Sequence, residues 1–167
     1  GGVQRGLSIW LDGNDSSTMF QDSCSSALTA VSSNGNPVGC WMDKSGNGNH
    51  VSSVSGSPSF ITNEFNAKSV LRFSGAERMS VSDLLSMKGG DEAFTVFAVA
   101  STRQTLFSKT ILSIGDNFSN DKESWRLRSG EGRYRSTFAN GEIKTIGDTP
   151  GVLSNVNKAA LITMSYS

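Results

Sequence analysis

Hydrophobic and polar residues alternate along most of this chain with a period of two, the spacing of strands with one face on a core. Leu7, Ile9 and Leu11 alternate with Ser8, Trp10 and Asp12, which predicts an opening strand. Thr29-Ala30-Val31, Val38–Met42, His50–Ser55, Pro58–Ile61, Lys68–Phe73 and Glu77–Val81 read as further short strands. Phe94–Ser101 is apolar in both phases, which predicts a central strand buried on both sides, with Thr110–Asp116 as its neighbour. Trp125–Arg128 and Arg133–Phe138 flank Ser129-Gly130-Glu131-Gly132 and predict a hairpin with a four-residue loop, facing Trp125 across to Tyr134. Lys158–Tyr166 is the last predicted strand. Helix is confined to a short turn within Ser16–Asp22 and to one or two turns at Asp83–Met87, where Asp83 suits an N-cap and Gly89-Gly90 a stop.

Turn chemistry breaks this pattern at regular intervals, as in Asn34-Gly35-Asn36-Pro37 and Ala139-Asn140-Gly141-Glu142. Short strands with frequent turns and almost no helix predict an all-β, two-sheet antiparallel sandwich in a single domain over residues 1–167. The most informative stretch is Cys40-Trp41-Met42-Asp43-Lys44-Ser45-Gly46-Asn47-Gly48-Asn49-His50-Val51. Gly46 and Gly48 suit positive φ, and Asp43 can accept the amide donors of the turn that follows it. That predicts a tight polar corner hung from a buried Trp41. A purely structural corner is one reading. The other is that Asp12, Asp15 and Asp43 contribute oxygens to a Ca²⁺ site, and that Asn47 and Asn49 contact a sugar. Ca²⁺ needs six to eight oxygens, and no complete metal motif is present.

Composition narrows the function. The 15 basic residues balance 15 acidic ones, and only 18% of the chain is charged. Such a surface does not suit a nucleic-acid or anionic-membrane binder. No apolar run is long enough for a membrane-spanning helix. His50 is the single histidine. It lacks the neighbours of a triad or zinc site and reads as a hydrogen-bonded structural residue. Asp91-Glu92 and Asp121-Lys122-Glu123 read as solvated charges rather than the paired carboxylates of a glycosidase. No enzymatic activity is expected. Cys24 and Cys40 are either bridged, which implies an oxidising setting, or free and buried.

Four stretches, in this order, resemble laminin-G-like, concanavalin A-like jelly-roll domains of bacterial surface proteins and phage virion proteins. They are Leu7–Asp12, Trp41–His50, Val70–Gly75 (with Ser74 where the family pattern carries Asp) and Phe94–Ala100. The resemblance implies a concanavalin A-like jelly roll in which Trp10 and Trp41 sit at core strand positions. It also implies closing strands beyond one like Ala159–Tyr166, so the sandwich is expected to be incomplete at its C-terminal end. It implies a carbohydrate-binding or adhesion module with a glycan or cell-surface polysaccharide as partner, outside the cell, on its surface or on a virion. The aromatic platforms left for a sugar are then Trp125 and Tyr134. The alternative it implies is a structural subunit of a virion or surface assembly, such as a tail fibre or capsid decoration, working through contacts with neighbouring subunits.

Overall fold

The computed structural model describes residues 6–81, 94–102, 109–114, 124–130, 133–140, 142–150 and 160–166. Among the described residues the chain is all-β, and the strands pair antiparallel. It forms two compact units, residues 1–84 and 85–167.

In the first unit a 3₁₀ turn, Ser16–Thr18, forms within the segment where a short helical turn is predicted. Asp15 caps it, its carboxylate accepting from the Ser17 amide at 3.2 Å and the Ser17 hydroxyl at 2.6 Å. It leads into β1 (Met19–Phe20), which pairs with β2 (Cys40–Trp41), then β3 (Val51–Ser55), then β6 (Arg78–Ser80). A separate hairpin joins β4 (Ser59–Phe65) to β5 (Lys68–Arg72). The segment predicted as a strand at Thr29–Val31 contributes one isolated bridge, Ala30 to Phe20. Met19, Val31, Val38 and Phe60 are buried together, with Trp41, Leu71 and Met79 packed against them. Sheet and hairpin thus share one core, and Trp41 lies at it as expected.

Gly39 permits this packing. A Cβ there would stand against the Gln21 carbonyl oxygen and 2.7 Å from the Asp22 carbonyl carbon, so no larger residue fits between β1 and β2. Cys24 and Cys40 form a disulfide with 4.8 Å between their Cα atoms, tying the 20s segment to β2.

The predicted opening strand at Leu7–Asp12 is not one. Residues 7–12 join no ladder. Their backbone groups bond to the corner after β2 instead, mostly through side chains, which a strand-pairing argument does not consider.

In the second unit β7 (Phe94–Ala100) pairs with β12 (Ala160–Tyr166), while β8 (Lys109–Ile114), β9 (Ser124–Gly130), β10 (Arg133–Asn140) and β11 (Glu142–Pro150) form a second sheet in chain order. Leu127 is buried among Phe94, Val96, Ala98, Leu112, Ile114 and Ile162, so the two sheets meet face to face around it. Two expectations are corrected here. The ladder neighbour of β7 is β12 and not β8, which lies across the core from it. β7 is not buried on both sides either: Phe97 is 69% and Val99 74% exposed, beside Leu161 at 70%. The second apolar phase of β7 therefore forms an open face.

The β9–β10 hairpin is tighter than the four-residue loop predicted. Its ladder continues to Gly130 and Arg133, because Ser129 and Gly130 pair with Tyr134 and Arg133. β11 has no counterpart among the predicted strands. The helix predicted at Asp83–Met87 lies outside the described residues, as do the acids at 91–92 and 121–123.

Candidate functional site

The corner that follows β2 is built around Asp43, whose side chain is 8% exposed. Its Oδ1 accepts the amides of Trp10 and Ser45, each at 2.8 Å, and its Oδ2 accepts the Ser45 hydroxyl at 2.6 Å and the Asn49 amide at 3.0 Å. All four lone-pair positions of the carboxylate are thereby engaged. The Asp43 amide donates to His50 Nδ1 at 3.1 Å, which closes the far side of the loop and gives the lone histidine the structural part expected of it. Gly46 and Gly48 adopt φ of 90° and 74°, as the turn requires. Burial pushes the Asp43 carboxyl up, but the Ser45 hydroxyl and the three amides together outweigh it and hold the group below the usual Asp range.

This loop grips the segment before it. Asn47 Nδ2 donates to the carbonyls of Leu7 at 2.7 Å and Ser8 at 3.2 Å, and Asn49 Nδ2 donates to the Ser8 carbonyl at 2.7 Å. The Lys44 amide donates to the Trp10 carbonyl at 2.8 Å. Trp10 is thus held on both sides of its peptide unit, by Asp43 at its N–H and by Lys44 at its C=O. Its ring is not in the core, contrary to the expected strand position: Trp10 is 48% exposed. The Lys44 ammonium lies 4.8 Å from the ring centroid, within cation–π range.

The same ammonium bonds Asp15 Oδ2 at 2.6 Å and Asp12 Oδ2 at 3.2 Å. The hydrogen bond from Lys44 is the main cause holding the Asp15 carboxyl below its ordinary value, and Asp15, then Asp12, raises the lysine. Asp12 Oδ1 accepts the Asn14 amide at 3.0 Å.

The predicted site residues fall into two groups. Asp12, Asp15, Asp43, Asn47 and Asn49 come together at one corner. One oxygen each of Asp12 and Asp15, Oδ2, bonds the lysine ammonium, their Oδ1 atoms accept from Asn14 and Ser17, and the oxygens of Asp43 accept from Trp10, Ser45 and Asn49. The amides of Asn47 and Asn49 are engaged with the 7–8 backbone. Trp125 and Tyr134 lie on β9 and β10 in the other unit and are not opposite each other, contrary to the predicted pairing: Trp125 is in register with Phe138, and Tyr134 with Ser129. A four-residue loop over 129–132 would itself set Trp125 opposite Ser136, and the shorter turn moves its partner two residues further, to Phe138.

Two residues of the corner were not singled out from sequence, Trp10 as an exposed ring and Lys44 as its cation. The signal for Trp10 was present. It shares the polar phase of its segment with Ser8 and Asp12. Lys44 carried no such signal, because its partners stand 29 and 32 residues earlier in the chain.

Compared with models of known protein families, with curated proteins and with solved structures, the chain matches none. The resemblance to laminin-G-like domains rests on the four stretches quoted above. The described helical content, one 3₁₀ turn, includes no helix long and apolar enough to cross a membrane.

Proposed function

We propose that this protein is a non-enzymatic carbohydrate-binding module, built on a concanavalin A-like jelly roll, and that the Trp10 corner is its binding site. One observation carries the reading: an exposed indole on a backbone fixed at both its N–H and its C=O, with the Lys44 ammonium over one ring face, beside carboxylates that retain about a third of their exposure. A pyranose ring presents C–H groups on one face and hydroxyls around its edge. An aromatic face covers the first, and carboxylate oxygens accept from the second. A platform held rigid before binding loses little entropy on binding, which favours affinity from a small contact. In this reading the cation of the corner is Lys44 itself, and Ca²⁺ is not required. The Cys24–Cys40 bond suits an extracellular, cell-surface or virion setting.

A glycan-array screen of the folded protein, repeated with chelator, tests this. Binding to a defined sugar class, unchanged by chelator and weakened at least tenfold (about 1.4 kcal/mol) by Trp10→Ala, is the expected result. Binding that survives Trp10→Ala would exclude this corner.

A second reading has its own observation. Phe97, Val99 and Leu161 form an exposed apolar face on the β7–β12 sheet, with Val99 and Leu161 in register. A structural subunit of a virion or surface assembly would cover such a face with a second copy of the chain. The paired strands carry no charged side chain, so two identical faces can meet without like-charge repulsion. Light scattering separates monomer from oligomer, and Val99→Lys should dissociate any oligomer formed this way.

A further inference from the structure

We propose that the Trp10 corner selects uncharged pyranosides and rejects anionic ones. The inference rests on the carbohydrate-binding reading and assigns its ligand class. Its basis is the charge placed around the ring.

One face of the indole is taken by the Lys44 ammonium, 4.8 Å from the centroid, so a sugar stacks on the opposite face. That ammonium is already bonded to two carboxylates, Asp15 and Asp12. A third carboxylate, Asp43, sits directly behind the ring's own backbone, 2.8 Å from the Trp10 amide nitrogen. Among the described residues, the groups bonded to one another at this ring are three carboxylates and one ammonium, a balance of two negative charges.

An anionic sugar, such as a uronate or a sulfated unit, would need a cation to receive its charge. The cation at this ring is committed to Asp12 and Asp15. The side chains of Asp12 and Asp15 retain 33% and 31% exposure, and an ionised carboxylate only accepts hydrogen bonds. It suits sugar hydroxyls, which donate, and repels a ligand carboxylate or sulfate, which cannot. Selectivity here comes from building repulsion against the wrong ligand as well as attraction for the right one.

The test measures affinities for matched probes: tetrasaccharides of glucose, galactose and mannose, each against the tetrasaccharide of the corresponding uronic acid. The neutral member of the preferred pair should bind at least tenfold tighter. The ratio should narrow several-fold in Asp12→Asn, and it should narrow with rising salt, which screens exposed charges. Trp10→Ala, run alongside, separates the two levels of the argument. Equal or tighter binding of a uronate that is lost in Trp10→Ala would overturn the selectivity and leave the binding site standing. Sugar binding that Trp10→Ala does not change, or no binding by any pair, would overturn the site and this inference with it.

Discussion

Asp43 decides whether the corner exists. Its carboxylate joins the Trp10 segment, the Ser45 turn and the Asn49 amide, so each arm of the loop ends on it. Asp43→Asn keeps the shape but turns two of four acceptor positions into a donor that faces donors. With hydrogen bonds to a charged group at about 1.5–3 kcal/mol each, the change should cost roughly 3 kcal/mol, read from denaturant unfolding. The pH dependence has a definite sign. The folded carboxyl lies below its ordinary value, so its contribution is fully present above the unfolded Asp value of about 4 and is lost as pH falls through the depressed folded value. Unfolding followed down an acid series should therefore show a flatter acid limb in Asp43→Asn than in the parent chain. Equal slopes would mean that Asp43 is not held ionised by the corner.

Between β4 and β5 the turn is made by Asn66 and Ala67, with φ of 48° and 59°. Both residues being left-handed is the pattern of a two-residue hairpin turn that favours Asn-Gly. Ala67 carries a Cβ where glycine is preferred, so Ala67→Gly should stabilise the chain by about 0.5–1 kcal/mol in the same unfolding assay, net of the extra freedom glycine gives the unfolded state. Four strands were legible from sequence, β9 and β10 by alternation and β7 and β12 as apolar runs, and all lie where the pattern put them. β11 was not. Its apolar residues, Ile143 and Ile146, are three apart, which hides a period of two. The register accounts for it: the ladder steps from Thr137–Thr145 to Ser136–Gly147, leaving Ile146 as the extra residue of a bulge. The segment 7–12 failed in the opposite sense. Its alternation is strand-like, but its backbone bonds go to Asp43, Lys44, Asn47 and Asn49, and a local pattern cannot reveal partners more than 30 residues away. The turn geometry of the corner was legible, because Asp, Gly and Asn at those spacings leave few ways to satisfy the backbone. Which ring it displays was not.

Across the whole molecule, two cores are built in sequence-contiguous halves, one around Met19 and Val38 and one around Leu127. The first is reinforced covalently. The disulfide closes a loop of sequence separation 16, worth about 3 kcal/mol in the chain-entropy model. Reduction should lower the unfolding free energy by about that amount. If reduction leaves stability unchanged, the bridge adds nothing to the first unit. The open apolar face of β7 and β12 belongs to the second unit and makes oligomeric state the property to measure there. The carbohydrate-binding reading depends on the first unit alone, and specifically on one indole. Its most direct test is two-dimensional NMR of the indole N–H signals of Trp10, Trp41 and Trp125 during titration with the best array ligand. The account predicts that the Trp10 signal, assigned by its loss in Trp10→Phe, shifts with saturation while the other two stay in place. A ligand that saturates by shifting Trp125 and leaves Trp10 unmoved would contradict it.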